Sequence, residues 1–226
     1  MGLEEHLFDE ILTLLKVNDL PGKFISIDAL DGGGNSTQSE LLAGYLKGVR
    51  GIPAAATKEP TDQRIGLVIR EVLRKEWSLS AIPLQELFSA DRGYHLDHLV
   101  LPSLTKGSWV VTARYALTSL AWGTAQGIPS WFLLAANVYY PWPNLNIVLM
   151  LSVEECLRRI DERNQRRTDQ RELFEARASM EANLKALEQM AHRLPNVVLL
   201  DGEGSVPEVF ARIRQVVEER LLTPIS

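Results

Sequence analysis

Only one cysteine, Cys156, occurs in the 226 residues, so no disulfide can form within the chain. That suits a reducing cytosol, and a cytoplasmic setting is the expectation. No apolar run approaches the roughly 20 residues that a membrane-spanning helix needs, so no membrane partner is expected. The first residues lack a basic start followed by an unbroken apolar stretch, which speaks against a secretory signal. An excess of positive charge is missing too. The formal net charge is −5, which argues against general affinity for nucleic acid or anionic membranes. Internal repeats and low-complexity linkers are absent. What remains is a chain with 46% hydrophobic residues, enough for one α/β domain with a sizeable core.

Hydrophobic periodicity organises that domain. Residues 1–22 read as a short helical extension, with Leu3, Leu7, Ile11, Leu14 and Leu15 at helical spacing and Pro21-Gly22 punctuating the end. The domain proper is expected over 23–222. Phe24 to Ile27 reads as a buried strand. Ser36 opens a helix whose apolar face carries Leu41, Leu42, Tyr45 and Leu46. Ala54–Thr57 reads as a strand, Ile65–Leu73 as a helix, and Leu84–Leu104 as one long helix stopping around Pro102. Strands follow at Trp109–Val111, Leu145–Leu151 and Val197–Leu200. Helices are expected at Val153–Arg163, Glu172–His192 and Val206–Leu221. Strands alternating with helices imply a parallel sheet covered on both faces, with ligands beyond the carboxyl ends of its strands.

Between the first strand and the helix after it lies Ala29-Leu30-Asp31-Gly32-Gly33-Gly34-Asn35-Ser36, followed by Thr37. It occupies the place of the phosphate-binding pattern GxxxxGK[ST]. Glycines let backbone N–H groups converge on phosphate oxygens, and the helix N-terminus adds partial positive charge. Ser36 can offer its hydroxyl to a magnesium ion. Two positions depart from the pattern. Ala29 replaces the first glycine, and Asn35 replaces the lysine that brings a full positive charge to the β- and γ-phosphates. A glycine-rich turn that merely joins strand to helix is the plainer alternative.

Further segments decide between these. Phe24 to Gly32, Lys58-Glu59-Pro60-Thr61, Leu87-Phe88-Ser89-Ala90-Asp91-Arg92, Arg114-Tyr115, Ser119-Leu120-Ala121, Pro143-Asn144-Leu145 and Glu154 to Arg159 occur in that order. Together they resemble the thymidylate kinase family over roughly residues 23–221. The resemblance implies a three-layer α/β/α P-loop kinase fold with a parallel sheet. It also implies a homodimer, ATP with Mg2+ as donor, and a nucleoside monophosphate, dTMP, as acceptor. Carried over residue by residue, Phe88 would stack on the base, and Arg92 and Arg114 would hold the acceptor phosphate through paired hydrogen bonds. Asp31 would lie near the deoxyribose hydroxyl, Glu59 in the same wall, and Ser119, in a serine-rich turn, near base or sugar. Phe88 as plain core and Arg92 as a surface partner of Asp91 are the bland alternatives.

The departures gather on the chemistry. Besides Asn35, Ala113 stands where the family has an aspartate before the arginine matched by Arg114, and Trp122-Gly123 replaces the usual Tyr-Gln pair. Arg163, Arg166, Arg167 and Arg171 crowd about 163–172, where the family has a lid over ATP, and there Arg166 and Arg167 could supply charge to the transferring group. Gly32 stands where one subclass keeps a loop arginine. Its absence fits the subclass whose lid supplies that charge. A solvated charged hairpin is the plain alternative, and the acids interleaved there disfavour a nucleic-acid patch. His95 and His98 are read as structural rather than zinc-binding, and Cys156 as buried packing. Two readings follow: a nucleotide-binding protein whose phosphotransfer is impaired, or an active but retuned nucleoside monophosphate kinase using its lid arginines.

Overall fold

The computed structural model describes residues 2–166 and 177–222, except for the side chains of 163–166. Five strands form one sheet: β1 (Phe24–Ala29), β2 (Ala54–Lys58), β3 (Trp109–Ala113), β4 (Leu145–Met150) and β5 (Val197–Asp201). Their order is β2-β3-β1-β4-β5, and every neighbouring pair is parallel. All six residues of the central β1 are buried, as expected of a strand covered on both faces. The alternation of side chains along it feeds two cores. Phe24 joins Val110, Leu117 and Leu120 on one side. Ile25, Ile27 and Ala29 join Leu42, Leu46 and Ile213 on the other.

Helices α2 (Asn35–Gly48), α8 (Val153–Arg166) and α10 (Val206–Leu221) supply the second core. Helices α6 (Ala116–Ala125), α7 (Ser130–Ala135) and α9 (Arg177–Arg193) supply most of the first. The result is the expected three-layer α/β/α arrangement with a parallel sheet. A smaller apolar cluster joins α3 (Arg64–Leu73) to α4 (Ala81–His95) through Ile69, Val72, Leu73 and Leu84.

Three expectations need correction. The long helix begins at Ala81 and does not stop at Pro102. It widens into a π-turn over Leu96–Val100 and resumes as α5 (Leu101–Thr105). Pro102 has no N–H for the carbonyl four residues back, and the wider turn just upstream makes room for its ring. Secondly, Ser119 lies not in a turn but within α6, and α7 was not anticipated at all. Seven of the ten residues of α6 are buried, so no polar face betrays its period.

The third correction concerns the start of the chain. Helix α1 (Leu3–Leu12) ends before Leu14 and Leu15, and its fully buried side chain is Phe8, whereas Leu3 is 74% exposed. The Arg193 guanidinium lies 3.7 Å from the centre of the Phe8 ring and also pairs with Asp9 at 3.0 Å. Asn18 then donates to Asn144 Oδ1 at 2.8 Å, and Trp142 N–H donates to Lys16 at 2.7 Å. The segment is thus anchored to the body at Phe8, Asp9, Lys16 and Asn18, while much of the rest of residues 2–22 is exposed. Phe8→Ala is expected to cost about 3–5 kcal/mol of folding free energy, measured by urea denaturation. An arm that merely rested on the surface would lose almost nothing.

Candidate active site

The loop after β1 crosses the carboxyl edge of the sheet and turns directly into α2. Ala29 ends β1 in strand conformation, so its methyl group costs no backbone strain. Its side chain instead dictates Gly33, where a Cβ would come within 2.5 Å of the Ala29 Cβ. Gly32 (φ 82°) and Gly34 (φ 89°) adopt the left-handed conformation that glycine tolerates. These residues leave the cradle bare of side chains, as close approach by a phosphate requires.

Asn35 is the first residue of α2 and is buried. Its Oδ1 accepts the Ser36 backbone N–H at 2.9 Å, and its Nδ2 has no partner among the described residues. Asparagine therefore folds onto the loop and covers one of the amides that the helix start presents. The cleft in front encloses about 700 Å3. Asp31, Gly32, Gly34, Asn35, Ser36 and Thr37 line one wall, and Lys58, Arg70, Ala113, Arg114 and Arg159 lie around the rest. Arg159 is held by Glu155 at 2.6 Å and by the Gly204 carbonyl at 3.2 Å, and its Nη1 lies closest to Gly34.

Next to the cleft, a narrow crevice of about 30 Å3 brings together Glu59, Phe88, Arg92, Arg114 and Ser119, with Asp31 at its mouth. All five acceptor-side residues expected from the sequence thus line one space. Their bonding revises their roles. Arg92 is 1% exposed and belongs to the core rather than the surface. It donates to Glu59 Oε2 from Nε (2.9 Å), with Nη2 ion-paired to the same oxygen at 2.8 Å, to Ser119 Oγ from Nη2 (2.9 Å), and to Asn137 from Nη1. Its charge is already answered by Glu59, and it lines the crevice rather than the larger cleft. Glu59 Oε1 accepts from His95 Nδ1 at 3.0 Å. The other ring nitrogen, Nε2, is therefore free to accept the Thr57 hydroxyl at 2.8 Å. Arg114 borders both spaces and is ion-paired with Asp31.

Arg114 has a φ of 68°, unusual for a residue with a side chain, and its surroundings hold it there. Its N–H donates to Ile27 at 3.0 Å and its carbonyl accepts the Thr112 hydroxyl at 2.9 Å. The following N–H, of Tyr115, donates to Asp28 at 3.1 Å. Asp28 is fully buried and also accepts the Thr118 and Ser26 hydroxyls at 2.6 and 2.7 Å. Ser26 Oγ lies 2.8 Å from Asn146 Oδ1 as well, yet it has one proton. With that proton on Asp28, the amide of Asn146 must turn its NH2 to Ser26, which also pairs the otherwise orphaned Asn146 Nδ2.

The sequence reading passed over Asp28, Arg70, Gln85, His95, Asn137 and Arg159 as site residues. Only Gln85, one turn before Phe88 on α4, carried a local signal. Arg166 ends α8 with its side chain outside the described residues, and Arg167 lies outside them altogether, as does most of the expected lid. Cys156 is buried with its thiol pushed up to about 12 by burial, so it is inert. Among the described residues no group of three or more His, Cys, Asp or Glu could hold a metal ion.

A parallel sheet of this order, with a glycine cradle between β1 and α2, defines a P-loop kinase fold. Comparison with known proteins gives the family. The thymidylate kinase family model matches residues 27–213. A protein described as "Probable thymidylate kinase" from Pyrococcus horikoshii is 32% identical over 206 residues, covering 89% of this chain and 98% of that one. One from Thermococcus onnurineus, also described as "Probable thymidylate kinase", is 34% identical over 207 residues, covering 88% and 98%. The solved structure of thymidylate kinase from Candida albicans superposes with a TM-score of 0.73 at 22% identity, covering 89% of this chain and 93% of that one. This chain belongs to the thymidylate kinase family.

The buried Asp28 carboxyl gives a pH signature. Burial raises its pKa, and the bonds from Thr118, Ser26 and Tyr115 oppose the rise only in part. The folded chain therefore binds this proton more tightly than the unfolded chain, whose aspartates titrate near about 3.9. The stability the group contributes is fully present below the unfolded pKa and is lost as pH rises through the folded value. Asp28→Asn is accommodated if the new amide donates to Ser26 Oγ and the Asn146 amide turns its oxygen to accept the Ser26 hydroxyl. Urea denaturation from about pH 4 to about pH 8 should show this slope in the parent chain and not in the variant, which gains relative stability at neutral pH.

Proposed function

We propose that this chain is a thymidylate-kinase-like nucleotide-binding protein. It takes dTMP in the crevice of Phe88, Arg92 and Ser119, with the acceptor phosphate reaching Arg114, while phosphoryl transfer from ATP is strongly impaired. The observation that carries this reading is the side chain of Asn35. It lies on the Ser36 N–H and brings no charge to the phosphate cradle. The cradle itself fits a phosphate, since Gly32, Gly33 and Gly34 put no side chain into it and Gly33 has no room for a Cβ. The donor set for Mg2+ does not fit. Ser36 offers one hydroxyl, Ala113 a methyl group, and the carboxylates of the cleft are already paired, Asp31 with Arg114, Glu59 with Arg92 and His95, and Glu162 with Arg158. Mg2+ is ordinarily held by one or two carboxylates together with phosphate oxygens.

Phosphoryl transfer depends on positioning and charge, so a missing cation and a missing carboxylate act on the same step. A second reading has one observation in its favour. Arg159 is anchored beside Gly34 and could bring charge to the cleft from outside the loop, which would leave an active, retuned nucleoside monophosphate kinase. The first reading also carries over the family's homodimer and cytoplasmic setting. Among the described residues no helix is long and apolar enough to cross a membrane.

The test pairs calorimetric titration of dTMP and ATP with assay of ADP and dTDP formation in Mg2+. The parent chain is expected to bind dTMP and form little dTDP. Asn35→Lys combined with Ala113→Asp should raise the rate by about 10²-fold or more. Brisk dTDP formation by the parent chain would overturn the impaired reading in favour of the retuned kinase.

A further inference from the structure

The crevice contains one polar group that no described residue answers. Gln85 sits on α4 one turn before Phe88 and is 5% exposed, and its Oε1 has no hydrogen-bond partner. It lines the same space as Phe88, Arg92, Ser119 and Trp122. A buried acceptor without a donor costs stability, and leucine or methionine would fill the position without that cost. A helix facing a purely structural core has no use for it.

We propose that Gln85 is a specificity-determining residue, whose carboxamide accepts the ring N–H of a thymine- or uracil-type base lying against Phe88. The inference rests on the reading of this crevice as the acceptor site. The hydrogen-bond inventory supports it. Ser119 Oγ already accepts from Arg92, and Glu59 is engaged by both Arg92 and His95. The side chains of Arg92 and Phe88 offer no acceptor at all. Gln85 Oε1 is the one buried side-chain oxygen of this wall that has no partner among the described residues. The enclosed 30 Å3 is room for one or two waters, so a ring must displace them and push Phe88 outward. Phe88 is only partly buried and has solvent on one side into which to move.

Gln85→Met keeps the length of the side chain and removes its hydrogen bonding. Calorimetry should show dTMP affinity falling about tenfold or more. Binding of 2-deoxyribose 5-phosphate, which has sugar and phosphate but no ring, should be unchanged. Melting of the unliganded variant should stay level or rise, because an unanswered acceptor has gone. Unchanged dTMP affinity overturns the proposal, as does an equal loss for both ligands or a fall in melting temperature with them. Arg114→Ala separates the two levels of inference. If it abolishes dTMP binding while Gln85→Met does not, only the role of Gln85 fails. If the parent chain binds no dTMP, the acceptor-site reading falls with it.

Discussion

A buried carboxylate bonded to a buried guanidinium is the interaction on which the acceptor side of this protein depends. Glu59 leaves the end of β2, and Arg92 comes from the last turn of α4. Their contact at 2.8 Å fixes the helix against the edge of the sheet. Charges this deep are costly to desolvate, so every remaining lone pair and N–H must be answered. His95, Ser119 and Asn137 do this from three further places in the chain. Asp91, next to Arg92, takes the Thr61 N–H and hydroxyl and so ties down the segment that follows Glu59. The crevice is the space left beside this network, and its shape is inherited from it.

The donor side is built on a different principle. Its cradle is backbone, shaped by Ala29 and Gly33 packing where a larger group would not fit. Because the cradle depends on packing rather than on the lysine that usually follows it, the loop keeps its form with Asn35 in that place. Shape and charge have come apart here. The crevice beside Glu59 and Arg92 retains both.

Much of this was legible in the sequence. The strands of the sheet, the loop and the order of the family segments all announce themselves, because a parallel sheet needs apolar runs and a phosphate loop needs glycines at fixed places. α6 and α7 were hidden, since a helix buried nearly all round shows no period. Phe8 was hidden among Leu3, Leu7 and Leu14, which carry the helical spacing but are exposed or only half-buried. The roles of Glu59 and Arg92 were half visible: their membership in the site could be read, whereas their bond to each other joins residues 33 apart and leaves no local trace. Asn137 and Arg159 reach the site only through tertiary packing, which composition and periodicity do not encode.

The seat of α1 has a consequence for how the chain is made. Asp9 pairs with Arg193, a partner 184 residues further on, and α1 leans on α7. α1 therefore lacks its full set of partners until both α7 and α9 have been made. At about 5–20 residues per second that delay is on the order of ten seconds or more. A ten-residue helix is marginal in water by itself, so over this interval the N-terminal segment is an unfolded, partly apolar strand. α1 is thus made well before its partners, and until they arrive it stays open to chaperones and proteases.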